Sequence, residues 1–473
     1  MATSSVASSS ASGVLDVQSL VAQLMAVEQQ PVDKLNAQVT SYQAKISSWG
    51  TLSGLVSSFQ SAIAALNTNL QAFAATPSDT SIFTASATST AVAGTYSLSV
   101  SQLAQAQNLV ATGQTSSTTA IGNGTATTVT FDFGSISGGT LSAGTYTGAS
   151  FTTNGNGTHS ITIDSSNNTL AGIRDAINTA NFGVTATIVN DGSGTPYRLA
   201  LTSANSGVNN SLKISTSGGD GTIDSLLAYD PAGVQNLNQT VAAQNANLTV
   251  NGIAITSASN KVTDAIQGVT LTLNKITTSP ASLTVTRDTG SINTAVSGVI
   301  SAYNALSSQL TSRSAYGSST TTAGTLAGDG VVRAMQDQLR NLFNTSVSGG
   351  TYSSLAQVGV AFQVDGSLKL DSTALNNAIN NNFSGLNNLI TSAAGIGTRL
   401  NDWAASVLSP GDGLIATRTS SLNSSIKTYN TRIDQMNARL ATVRQQYITQ
   451  YSNLNVLLGS MNNTSAYLSR QLG

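Results

Sequence analysis

The sequence predicts an α+β, multidomain and elongated fold in which terminal coiled-coil helices, a leg, bracket inserted β-rich head domains. Three observations lead there. Apolar residues recur at alternating steps of three and four near both ends of the chain, the mark of amphipathic helices. From about Thr76 to about residue 290 the period falls to two, as in half-buried strands. The 473 residues are enough for about three or four compact units rather than one.

Met1 to Ser12 is almost wholly Ala, Ser and Thr, too poor in apolar surface to order itself. Residues 1 to about 30 are expected to order only on assembly, because the stripe Leu20, Val21, Leu24 and Val27 has no evident cover within the chain. Asp16 is placed to cap that first helix. Pro31, lacking an N–H, is expected to break it. A second, longer amphipathic helix then runs from Leu35 through Trp49 and Phe59 to Phe73.

Strands follow. Tyr96, Leu98 and Val100 alternate, as do Ile161 and Ile163; Val184, Ala186 and Ile188 lead into the turn Asn190-Asp191-Gly192. One short helix, residues 170–178, interrupts them with Ile173 and Ile177 on one face. Leu248 and Val250 face Ile253 and Ile255 across Asn251-Gly252, the pattern of a hairpin on a primed turn. Val269, Leu271 and Leu273 add another strand.

Helices return at residues 292–312 and 331–343, the latter opening after Asp329. A hairpin is expected around Asp365-Gly366, with Asp371 capping the helix beyond it. The C-terminal stretch carries the strongest period. Leu422, Ile426, Tyr429, Ile433, Met436, Leu440, Val443 and Tyr447 alternate by four and three, and after one extra step of four the pattern resumes at Tyr451, Leu454, Leu458 and Met461. Such a stutter locally relaxes a supercoil. A helix from Leu414 to Leu472 would be about 90 Å long.

Charge and composition narrow the function. Only 8% of residues are charged and the net charge is -1, so no basic field exists to gather nucleic acid or acidic lipid. Mean hydropathy is +0.05. Uncharged polar faces cost less to desolvate than charged ones, which suits a protein that lies against similar neighbours. There is no Cys, hence no disulfide and no thiolate metal site. No stretch approaches the ~20 apolar residues of a membrane span. The first basic residue is Lys34 and no long apolar run precedes it, so no Sec-type signal peptide is expected. Taken alone this reads as cytosolic, while the Ala, Ser and Thr leader is equally what an unfolded-chain export channel could thread, and composition does not separate the two.

Chemistry finds no foothold. His159 is the single histidine and reads as a solvated turn residue in Asn154-Gly155-Asn156-Gly157-Thr158-His159. Glu28 is the single glutamate, and no Gly-x-Ser-x-Gly elbow or phosphate loop is present. No catalytic, cofactor-binding or metal-ligating residue is assigned, and the chain is read as a non-enzyme.

Several segments then resemble one family. Residues 13–30, Gly-Val-Leu-Asp-Val through Glu-Gln-Gln with Pro31 closing them, are similar to the opening signature of the flagellar filament capping proteins, the flagellar hook-associated protein 2 family. Tyr96 to Gln107 resembles the family's first head strand, and Ile161 to Asn190 resembles an insertion motif of hook and filament proteins. Ala302-Tyr303-Asn304 and Gly328-Asp329 are further matches. The resemblance implies a leg of terminal helices at the filament tip beneath a plate of β-domains. It also implies a homo-oligomeric cap ring, exported through the flagellar type III channel to an extracellular position. Its implied partners are flagellin, filament-tip or junction proteins and an export chaperone, with no nucleic acid and no membrane.

The expected organisation is a leg-tip domain of residues 1-45 and 430-473, and a helical leg domain with a hairpin, 46-78 and 290-429. A β-rich head of 79-110 and 240-289 and an outer head of 111-239 complete it. Little in the chain is left to cover the extreme ends of the helices. Leu15, Leu20, Leu24, Val27, Tyr451, Leu454, Leu458, Met461 and Leu468 are therefore assigned to an oligomer or filament interface. Two other readings stay open: flagellin or a hook-filament junction protein, which shares the terminal-helix plan, and a surface adhesin whose head binds glycan or mucin.

Overall fold

One helix, α1 (Val17–Asn69), opens the described chain, which runs from residue 16 to 472 in this computed structural model. Asp16 caps it, accepting from the Ser19 amide at 3.1 Å. The break expected at Pro31 does not occur: Pro31 sits inside α1. Its ring is exposed, and it forfeits only one backbone bond, about 3 kcal/mol with the local clash. Packing on both sides of it, at Val21 and Val32, offsets that loss.

The strand region follows α1 directly. It comprises β1 (Phe73–Pro77), β2 (Phe83–Ala87), β3 (Gly94–Gln102), β4 (Asn108–Ala111), β5 (Thr127–Ser142), β6 (Thr145–Thr153) and β7 (His159–Ile163). Next are α2 (Leu170–Ala180), β8 (Val184–Asn190), β9 (Tyr197–Ser203), β10 (Ser211–Gly218), α3 (Thr222–Leu227) and β11 (Leu237–Val241). β12 (Ala246–Val250), β13 (Ile253–Ser257), β14 (Lys261–Ile266), β15 (Val269–Leu273) and β16 (Ala281–Arg287) end it. The chain then returns to helix with α4 (Thr289–Ser314) and α5 (Gly330–Asn344), the hairpin β17 (Val360–Phe362) and β18 (Leu368–Leu370), then α6 (Ser372–Thr391), α7 (Ile396–Leu408) and α8 (Leu414–Leu472).

Contacts divide the chain into a helical unit, the described residues up to Leu70 with those from Thr289 onward, and a β-rich unit, Gln71–Asp288. Terminal helices thus bracket an inserted β-rich body, as periodicity predicted. In the helical unit, α1 from Trp49 to Leu70 lies in one core with α4 to α8. Phe59 is at its centre, its ring 6.4 to 6.5 Å from those of Tyr303, Phe343 and Trp403.

The β-rich unit holds two separate cores. One gathers Phe83, Leu98, Val100, Leu271 and Leu283 from the sheet β1-β16-β3-β12-β13 and the sheet β14-β15-β2. The other gathers Phe131, Ile173, Ile177, Leu201 and Tyr229 from the sheet β10-β5-β6 with β7 on β5, the sheet β11-β4-β9-β8, and α2. The Asn251-Gly252 hairpin forms as expected. Val250 pairs with Ile253, and both turn residues take positive φ, 49° and 83°, as a primed turn requires.

Motifs without periodicity acquire physical roles here. Asn304 projects from α4 and holds β18 by both ends of its amide, donating to the Leu368 carbonyl at 2.9 Å and accepting from the Leu368 N–H at 2.7 Å. Asn178 does the same from α2 to Ala186 of β8, both bonds 2.8 Å. Asp329 caps α5 through the Val331 amide and takes Arg418 Nε of α8 at 2.9 Å, so one nearly buried carboxylate joins two helices. Asp371 caps α6 through the Thr373 and Ala374 amides.

Each asparagine clasp satisfies a strand's backbone donor and acceptor at once. Asn178→Ala should therefore destabilise the β-rich unit by about 2 to 3 kcal/mol, leaving the helical unit's melting unchanged, and Asn304→Ala should do the reverse. Domain-resolved hydrogen exchange distinguishes the two, and equal effects on both units would refute the assignment.

Acid should act mainly on the β-rich unit. The Arg198 guanidinium, with the Ser193 amide and hydroxyl, holds the Asp191 carboxyl at about 2. Thr222 and the Asn123 amide hold Asp220 at about 2. Both folded values lie below the unfolded value, so their stabilisation is complete above about pH 4 and is lost as pH falls toward 2. Protection of β8 and β9 amides should decline through that window, and more shallowly with Asp191→Asn and Asp220→Asn together. An unchanged profile in the double variant would rule these carboxylates out.

Candidate assembly interface

The two terminal helices run antiparallel. Tyr42 of α1 meets Tyr429 of α8 with ring centroids 5.6 Å apart, and Tyr447 donates to Glu28 Oε1 at 3.5 Å. The hydrogen bond from Tyr42 pushes the Tyr429 phenol up. Along this pairing the stripe read from sequence is the packed face, with Leu422 and Leu440 buried on α8 and Val21 and Val32 buried on α1. The helical partner is longer than expected, because Pro31 does not end it.

Carrying that register to Asp16, the first described residue of α1, brings it level with about residues 455 to 459 of α8. α8 continues to Leu472, so roughly 20 Å of helix extends past the last described residue of its partner. Every residue from Met461 to Gln471 is exposed. Leu454 is 40% exposed, Val456 74%, Met461 59% and Leu468 49%. Between Arg444 and Arg470 the helix has no charged side chain, so covering this face would desolvate no ion. A surface helix of this kind ordinarily hides its apolar residues, and the distal end of α8 shows them on more than one face.

The sequence-derived interface residues divide accordingly. Leu15 lies outside the described residues. Leu20 and Leu24 on α1, and Tyr451 and Leu458 on α8, are half-buried. Val27 is 63% exposed and, with Leu454, Met461 and Leu468, remains uncovered. The expectation that residues up to about 30 wait for a partner is corrected for residues 17–30: they are helical and lie on α8, and the earlier residues lie outside the description. Val456, Leu457 and Tyr467 were missed, and all three are exposed. Four apolar residues among the five from Leu454 to Leu458 are too many for one helical stripe, and that crowding was the signal for Val456 and Leu457.

His159 opens β7 rather than lying in a turn. Its exposed ring stacks on Phe182, centroids 5.3 Å apart and planes 8° from parallel, with Phe133 edge-on. Among the described residues no group of three or more His, Cys, Asp or Glu is placed to hold a metal ion, and no helix is long and apolar enough to cross a membrane.

Comparison with known proteins places this geometry. Residues 243–463 match the family profile described as flagellar hook-associated protein 2 C-terminus, residues 13–107 that of its N-terminus, and residues 150–205 the flagellin hook IN motif. The chain is 35% identical to flagellar hook-associated protein 2 of Escherichia coli strain K12, across 97% of this chain and 96% of that one. It is 31% identical to the B-type flagellar hook-associated protein 2 of Pseudomonas aeruginosa, across 88% and 87%. The crystal structure of the D1-D2-D3 domains of the Escherichia coli flagellar cap protein FliD superposes with a TM-score of 0.66 at 35% identity, covering 80% of this chain and 99% of that one.

If Pro31 is held in helix only by flanking contacts, Pro31→Ala should restore a backbone bond to Val27 and stabilise this stretch of α1 by about 1 to 3 kcal/mol. Amide protection from Val21 to Leu35 should rise with it. A fall in protection would mean that the proline ring itself makes a contact the helix needs.

Proposed function

The chain belongs to the flagellar hook-associated protein 2 family, and from that premise we propose that it is the structural cap at the distal end of a bacterial flagellar filament. There it oligomerises, promotes incorporation of flagellin and prevents its loss while the filament elongates. The flagellin or junction reading is not favoured, since relatives matched over nearly the whole chain are hook-associated protein 2 and the flagellin motif covers only residues 150–205. The cap works outside the cell at the filament tip, and an export chaperone is the partner suited to cover its apolar helix ends in transit. No chemistry is assigned to it.

The single observation that carries the mechanism is the uncovered, uncharged end of α8. Met461 and Leu468 stand exposed beyond the reach of the described partner, and Leu454 stands exposed level with that partner's first turn. Leu20, Leu24, Val27, Tyr451 and Leu458 border the same region and complete the proposed contact with other subunits or with the filament. Leu15 joins them on sequence grounds. The α1–α8 pair is the leg, and the two cores of Gln71–Asp288 are the inner and outer head.

Burial that occurs only on assembly should be lost from association and not from monomer stability. Leu454→Ala, Met461→Ala and Leu468→Ala together should leave the dilute monomer's melting temperature nearly unchanged while abolishing capping, so that cells shed flagellin into the medium. The control is Leu422→Ala, buried in the α1–α8 pair, which should cost the monomer about 2 to 5 kcal/mol. A triple variant that melts early yet still caps would place those residues in the monomer's own core and refute the interface.

A further inference from the structure

We propose that Asn156, in the loop between β6 and β7, is a site of spontaneous deamidation that turns a neutral exposed loop of the β-rich unit into an anionic one. The chain has four Asn-Gly pairs, at Asn123, Asn154, Asn156 and Asn251. In each, the following glycine amide offers the unhindered nucleophile that such chemistry needs. Three of the four side chains are tied down. Asn123 Oδ1 accepts from the Thr125 amide at 2.9 Å, and Asn251 Oδ1 accepts from the Ser97 amide at 2.9 Å within the hairpin turn. Asn154 is held at both ends, Oδ1 by the Asn156 amide at 3.0 Å and Nδ2 by the Asn209 carbonyl at 3.2 Å.

Asn156 differs. Among the described residues its side chain makes no hydrogen bond, it is exposed, and Gly157, Thr158 and His159 after it are exposed too. A methyl built on Gly157 would meet nothing within 4 Å, as is true at Gly155 and Gly252, so the backbone there has room to reach the required geometry and the free side chain is what sets Asn156 apart from those two. By contrast a methyl on Gly124 would lie 2.8 Å from Ser165 Cβ.

In the first step the deprotonated Gly157 nitrogen attacks Asn156 Cγ. A C–N bond forms, the Cγ–Nδ2 bond breaks, and Nδ2 leaves as ammonia, its third hydrogen being the equivalent of the one proton given up by the amide and relayed by water. Water then adds to either carbonyl of the cyclic imide and opens it to aspartate or isoaspartate. No oxidant or reductant is consumed. The product has one more negative charge, and in the isoaspartyl form one more backbone methylene between β6 and β7. In a chain with only 8% charged residues and a net charge of -1, that is a large local change. This inference does not rest on the capping function.

The test uses the full folded chain, held in mildly alkaline buffer, with conversion at each asparagine followed by fragment-resolved mass spectrometry. Asn156 should convert at least about tenfold faster than the other three, the factor one hydrogen bond is worth. In guanidinium all four should converge, since each precedes a glycine. Asn156→Gln should abolish the early acidic species on native charge separation. A native rate at Asn156 no greater than that at Asn123 or Asn251 would overturn the proposal, as would a preference for Asn156 that survives unfolding.

Discussion

Two antiparallel helices can bury a shared apolar stripe only along the length that the shorter one reaches, and the rest of this molecule is arranged around that limit. α1 supplies two kinds of surface in one continuous rod. From Trp49 onward it is the spine of the helical core, ringed by Phe59's aromatic neighbours. Before Trp49 it runs along α8, where Tyr42 meets Tyr429 and Glu28 meets Tyr447. Because the same helix does both, the position of α8 is fixed by the core, and Arg418 on Asp329 fixes it again from the side of α5. What α8 leaves uncovered beyond Leu454 is therefore held in a defined place rather than on a loose tail.

Much of this was legible in the sequence where one period dominates. α8 spans Leu414–Leu472, the stretch expected to be helical, and Asp16, Asp329 and Asp371 cap the helices they were expected to cap. The legibility failed for three physical reasons. Pro31 is a local penalty overruled by packing that no local rule sees. β5 contains the alternation Val129, Phe131, Phe133, yet its long polar continuation of Ser, Gly and Thr hides a strand that runs to Ser142. The clasping roles of Asn178 and Asn304 have no period at all, since each depends on a strand brought from elsewhere in the chain. At the distal end of α8 the stripe names Leu454, Met461 and Leu468, which are exposed, but not Val456, Leu457 and Tyr467, which are exposed too and lie off it.

The acidic residues show how a chain so poor in charge uses it. Apart from Glu28 all are aspartates, and those at residues 16, 329 and 371 cap helices while Asp191, Asp220 and Asp365 accept amides in turns. A short carboxylate reaches a neighbouring backbone N–H where a glutamate's extra methylene would overshoot. These six aspartates thus serve local backbone geometry. Glu28 is used otherwise, reaching across to Tyr447 on the facing helix.

The stretch of α8 between Arg444 and Arg470 has no ionic group to be screened. A contact made there has no Coulombic component for dissolved salt to weaken, so it should hold alike in dilute and in saline surroundings. Its driving force is the removal of apolar surface from water, which strengthens with warming and fades in the cold. A contact formed at this end would therefore respond to temperature more than to ionic strength.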